Sequence, residues 1–106
     1  MQAPGFYAGG IWQLHQSNGI TVTLDLAQDS AGNLYGSGRW GNVAGTVERG
    51  SAVDGTNIYF TIAWSNGPRG RYTGSLSADR RLSGLTYDAN NPGGGQATWY
   101  TTQVFP

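Results

Sequence analysis

Large side chains recur on every second position of this chain, and no window repeats them at the 3.6-residue period of an amphipathic helix. The clearest stretch is ITVTLDLA, residues 20–27. Ile20, Val22, Leu24 and Leu26 face one way, and Thr21, Thr23 and Asp25 face the other. That is a strand with one dry and one wet face. Eight such runs are predicted, over 9–16, 20–27, 34–40, 43–49, 57–64, 70–76, 82–88 and 96–104, each ended by Gly, Asn, Asp or Pro. Eighteen glycines in 106 residues far exceed the average share of about 7%. They come with four Trp, six Tyr and three Phe, a combination that disordered chains lack.

The connections QSNG, WGN, SNGP and SADRR are short, and short links force sequential strands to run antiparallel. Eight meandering strands with one apolar face each close most simply into an up-and-down β-barrel, which leaves no exposed sheet edge. A sandwich is the second choice, disfavoured by the regular hairpins. Length fits a single domain, with 1–8 an extended N-terminal segment and 9–106 the barrel. A faint repeat supports closure. Leu34-Tyr-Gly36, Val43-Ala-Gly45, Tyr72-Thr-Gly74 and Leu82-Ser-Gly84 each put an apolar residue two positions before a glycine. In a narrow barrel such glycines make room for large inward rings and let strands coil.

A meander also sorts residues by end. Connections 1–2, 3–4, 5–6 and 7–8 share one end; the other three and both termini share the opposite one. Trp40, Trp64 and Trp99 fall at the first end and Trp12 at the second. The first end also gathers Asn18, Asn66, Arg69, Arg71, Tyr72, Tyr87, Asp88, Asn90 and Asn91. Indoles with amides and a guanidinium make a mouth that can stack a flat or apolar ligand and orient it by hydrogen bonds. The expected binding residues are Trp40, Trp64, Tyr72, Trp99, Asn18, Asn66, Arg71 and Asp88, and Trp64, closing the run FTIAWSN, is the leading one.

Catalytic chemistry finds little to work with. Cysteine is absent, which removes disulfides and thiolate sites. His15 alternates with Trp12 and Leu14 and so is expected on the outer face; one histidine does not assemble an ordinary zinc site. Asp29, Asp54 and Asp79 sit in turns, where local backbone hydrogen bonding explains them. NPGGG opens no helix that could hold an anion. No catalytic residue, metal ligand or cofactor is therefore expected. Six basic and six acidic residues give zero formal net charge, and no basic run marks a nucleic-acid footprint. No apolar stretch approaches the roughly 18 residues that span a membrane.

Gly10-Ile11-Trp12 resembles the Gly-x-Trp opening of the calycins, the lipocalin and avidin barrels, in which the Trp plugs the closed end. Leu34-Tyr35-Gly36-Ser37-Gly38 is similar to the avidin third strand, and FTIAWSN to the fifth, whose terminal Trp touches the ligand. Tyr72-Thr73-Gly74 resembles a Trp-Ser-Gly of the sixth strand. Ala97-Thr98-Trp99 matches an Ala-x-Trp whose ring reaches a neighbouring subunit in avidins. The resemblance implies an avidin-like barrel with Trp64 at the mouth. It does not imply tight biotin binding. Leu14 and Asn18 stand where avidins present an Asn and a Ser to the ureido oxygen. A seventh-strand Trp is replaced near Thr86 or Tyr87, no late Asp is present, and the lid loop is cut to about Gly41-Asn42.

The expected function is non-catalytic binding of a small apolar or flat ligand, with biotin not favoured. The alternatives are a secreted interaction module, such as a protease inhibitor using MQAPGFY, and a carbohydrate-binding barrel; an enzyme comes last. The N-terminal MQAPGFY stretch resembles a mature secreted or periplasmic start. Outward Tyr35, Tyr59, Tyr100 and Val104 suggest a homodimer or homotetramer.

Overall fold

In the computed structural model, which describes residues 2–106, nine strands follow in order. They are β1 (Gly10–Gln16), β2 (Thr21–Gln28), β3 (Leu34–Trp40), β4 (Val43–Val47), β5 (Ala52–Asp54), β6 (Asn57–Trp64), β7 (Arg69–Leu76), β8 (Leu82–Asp88) and β9 (Gln96–Tyr100). Every strand pairs antiparallel with its neighbours. The sheet runs β4-β3-β2-β1-β9-β8-β7-β6, and a β4–β6 pairing closes it. The protein is thus an eight-stranded up-and-down barrel, with β5 as an extra strand on the start of β6.

Alternation decides what the barrel encloses. Val22, Leu24 and Leu26 are buried with Trp12 and Leu14 of the neighbouring strand, while the residues between them face out. A chain of ring contacts then runs up the interior. Phe6 meets Phe105 edge-on at 6.2 Å, Phe105 meets Trp12 at 4.9 Å, and Trp12 meets Phe60 at 6.4 Å. Phe60 stacks on Tyr72 at 4.8 Å and lies 6.3 Å from Trp99. The Trp12 indole, which was expected at the closed end, is anchored by donating to the Ala8 carbonyl at 2.9 Å.

Both termini seal that end. Residues 2–8 do not project. The Gln28 side chain stands in for a strand partner, accepting from the Ala8 N–H and donating to the Phe6 carbonyl. Tyr7 donates its N–H to the Pro106 carbonyl and Gly5 donates to Gly55. Met1 of the expected N-terminal segment lies outside the described residues.

Two expectations are corrected. The link between the runs predicted at 43–49 and 57–64 is not a plain loop but contains β5, where Ala52 and Val53 are both buried and the Val53 N–H donates to the Gly32 carbonyl. The last strand stops at Tyr100, short of residue 104. Thr101 turns its hydroxyl to receive the Leu82 N–H, and the tail then bends inward so that Phe105 reaches Trp12. Of the outward side chains expected at an interface, Tyr35, Tyr100 and Val104 are exposed, whereas Tyr59 is half-buried beneath the Arg71 guanidinium.

The glycine repeat divides into two jobs. A Cβ on Gly45 would lie 2.4 Å from Ile62 and 2.8 Å from Trp64, and one on Gly74 would lie 2.6 Å from Trp99 as well as 2.5 Å from the Ser83 carbonyl oxygen. These two make room for inward side chains. At Gly36 and Gly84 the obstruction is neighbouring backbone, Asp25 O at 2.0 Å and Thr73 O at 1.8 Å, so these two let strands approach closely. Gly74→Ala therefore forces the Trp99 ring or the β7–β8 pair to move. It is expected to lower the unfolding free energy by about 2 kcal/mol or more in urea melts. Gly93→Ala, where an added Cβ meets nothing within 4 Å, is expected to be nearly silent.

Candidate functional site

The end opposite the sealed termini holds a cavity of about 420 Å³, within the range of small-ligand sites. Its wall comes from the four connections that the meander rule groups together. Ser17 and Asn18 belong to the β1–β2 turn, Trp40 ends β3, and Trp64, Asn66 and Pro68 frame the β6–β7 turn. Asp88 and Gly94–Gln96 contribute from the β8–β9 side. The floor is the paired row Tyr72, Thr86 and Ala97.

The cavity exists because the ring column stops. One inward step above Tyr72 on β7 is Gly70, which has no side chain to fill the space. A Cβ there would lie 2.8 Å from Trp64 Nε1 and 3.0 Å from the Tyr72 ring. The Trp64 indole is seated among glycines: a Cβ added at Gly38, Gly45 or Gly70 would lie 3.5, 2.8 or 2.8 Å from it. Its ring packs on the core while its Nε1 makes no hydrogen bond among the described residues. Gly70 pairs with Asp88, and its inward side is covered by the Trp64 indole, so both Trp64 and Asp88 neighbour this glycine.

Hydrogen bonds fix the polar groups. The Tyr72 hydroxyl donates to Gln16 Oε1 at 2.8 Å, and Gln16 Nε2 donates to Asn18 Oδ1, which also receives the Ile20 N–H. Asp88 Oδ1 accepts the backbone N–H groups of Arg69 and Asn90 at 3.0 and 2.9 Å. Asn90 reaches from its loop to the Gly67 carbonyl at 3.1 Å, tying two rim loops together.

Six of the eight expected residues line this cavity: Trp40, Trp64, Tyr72, Asn18, Asn66 and Asp88. Two do not. Trp99 is buried beneath it, where Gly84 and Gly74 share its cross-strand row and leave space inside the wall. Its indole N–H is directed at the Leu85 and Thr73 carbonyls, 3.0 and 3.2 Å away. Arg71 is adjacent to inward Tyr72 and so must face outward. It donates to the Thr61 hydroxyl and lies over the Tyr59 ring. His15 also faces out, beside Tyr100 with ring centroids 5.2 Å apart. Gln16, Ser17, Thr86 and Gln96 line the cavity and were not anticipated. For Gln16 and Thr86 the signal was present, since each shares parity with an inward residue, Leu14 and Asp88.

Electrostatically the outer wall and the cavity differ. Arg69 grips Glu48 with both arms of its guanidinium, at 2.7 and 2.8 Å. That hydrogen bonding, with the charge attraction, holds the Glu48 carboxyl below its usual range and raises Arg69. The pair lies across β6 on the outside, because Val47 and Gly70 beside them face in. On the cavity floor, burial pushes the Tyr72 phenol up to about 12, with the Thr86 hydroxyl pulling the other way.

The neutral phenol is thus favoured by folding. Its contribution to stability is fully present below pH 10, the ordinary phenol value, and is lost as pH rises from about 10 to about 12. Unfolding free energy is expected to fall by about 1.4 kcal/mol per pH unit across that window from this group. Tyr72→Phe should flatten the decline, as read by urea melts at pH 9, 10, 11 and 12. No family model matches the chain, and no curated protein matches its sequence.

Proposed function

We propose that this protein is a non-catalytic, calycin-like barrel that binds a small, partly flat or apolar ligand at its mouth. The observation that carries the reading is that the column of ring contacts ends at Tyr72 while Trp40 and Trp64 stand in the wall, which leaves a cavity bounded by the three. Indole faces supply apolar contact area, and the amides and hydroxyls of Asn18, Asn66, Ser17 and Gln96 orient a bound molecule. Trp64 Nε1, a donor without a partner among the described residues, is the group a ligand acceptor would meet first.

Binding is the chemistry these groups support. Asp88 is engaged by two backbone N–H groups and Gln16 by Tyr72 and Asn18. The reading as an inhibitor with a projecting N-terminus draws no support from residues 2–8, which are bonded into the closed end. A secreted or periplasmic location suits a small carrier of this kind and is part of the proposal.

Intrinsic fluorescence tests the mouth. A ligand entering the cavity is expected to quench the half-buried Trp40 and Trp64 and to leave the core Trp12 and Trp99 largely unaffected. Trp64→Ala should weaken binding about tenfold or more while the fold, followed by far-ultraviolet circular dichroism, persists. Trp99→Ala should instead cost about 3–5 kcal/mol of stability. If Trp64→Ala and Trp40→Ala bind every ligand of the wild type equally well, the mouth is not the binding site.

A further inference from the structure

The cavity wall includes one side chain that is charged at neutral pH, and it is negative. Asp88 lines the cavity opposite Gly70, the glycine that Trp64 Nε1 also approaches. Its Oδ1 is occupied by the Arg69 and Asn90 N–H groups, while among the described residues its Oδ2 has no hydrogen-bond or ion-pair partner. The guanidiniums nearest in sequence both face away. Arg69 is held on the outer wall by Glu48, and Arg71 lies against Tyr59 and Thr61. The remaining lining is amide, hydroxyl, aliphatic and aromatic. Arg69 does feel the Asp88 charge, but its guanidinium is already paired with Glu48, so the three together stay net negative and an anionic ligand would add a further negative charge.

The two indoles of the lining suit the same sign. Trp40 and Trp64 wall the cavity, and the negative face of an indole attracts a cation, most of all where water is displaced. A carboxylate oxygen and two indoles around a space of about 420 Å³ fit an ammonium group attached to an apolar or aromatic body. Resting on the reading of the mouth as a ligand site, we propose that the ligand is an organic cation, an alkylated or quaternary ammonium, whose charge lies at Asp88 and whose body lies between Trp40 and Trp64.

Three probes that share a benzyl body test this by tryptophan quenching and calorimetry: benzyltrimethylammonium, benzyl alcohol and phenylacetate. The wild type is expected to bind the ammonium roughly tenfold or more tightly than phenylacetate. Its affinity should weaken as sodium chloride rises, and that for benzyl alcohol should not. Asp88→Asn keeps an oxygen to accept from Arg69 and Asn90, and it should collapse the preference of ammonium over alcohol by about tenfold. The salt dependence of the wild type stands as a second reading should that variant melt early. Equal binding of phenylacetate and the ammonium, or an unchanged preference in a folded Asp88→Asn variant, would overturn the cation assignment and leave the mouth reading in place. Quenching by none of the three at millimolar concentration, or quenching that survives Trp64→Ala intact, would overturn the mouth reading and the cation with it.

Discussion

An eight-stranded barrel encloses a channel just wide enough for side chains to fill, and the rest of this structure depends on how far it is filled. From the sealed end, Phe105, Trp12, then Phe60 with Trp99 beside it, and last Tyr72 occupy it. Each ring needs space that the opposite wall must yield. The chain supplies it with glycine, at Gly74 under Trp99 and at Gly38 and Gly45 beside Trp64. At and above the Tyr72 row the inward residues of β7 and β9 are small, Ala97 and Gly70; Trp64 covers Gly70 from the side, and the rest of the channel is left open. Packed core and open cavity are one continuous interior, divided at the row where large residues give way to small ones.

The division explains how a single tyrosine serves both. One face of Tyr72 stacks on Phe60 with an interplanar angle of 11°, which places the ring in the core. Its hydroxyl projects to Gln16 at the base of the cavity. Burial of that phenol ties alkaline stability to the cavity floor. Gln16 in turn holds Asn18, so the β1–β2 turn is positioned by a hydrogen-bond chain that begins in the core. Groups fixed in this way have little rotamer freedom left to lose.

Most of the barrel was legible because alternation is a strong local signal and short turns leave few topologies. What alternation did not show was β5, whose Ala52 and Val53 are consecutive and both buried. Nor did it show the tail, where TTQV alternates plausibly but is turned aside by the Thr101 hydroxyl and the inward pull of Phe105. At the mouth, sorting residues by barrel end gathered the right loops. It failed for Arg71 because end and face are separate coordinates. The residue after an inward Tyr72 must face outward, and that rule, applied to the sequence, would have excluded Arg71 and admitted Gln16 and Thr86. Trp99 needed a third coordinate, depth. Its row also contains Gly84 and Gly74, and two glycines in one cross-strand row mark the place where a large ring goes in.

Face also sets the charge of the cavity. Arg69 and Arg71 alternate with Gly70 and Tyr72, so a one-residue slip of β7 would turn both guanidiniums inward and the floor outward. Several bonds oppose that slip, and most lie outside the cavity. The Arg69–Glu48 fork spans β6 on the outer wall, and Arg71 is pinned to Thr61 and Tyr59. Inside, Tyr72 is locked between Phe60 and Gln16. An exposed ion pair contributes little to stability by itself. Here it also fixes which side of β7 is wet, and therefore keeps the positive charges out of a cavity that retains Asp88.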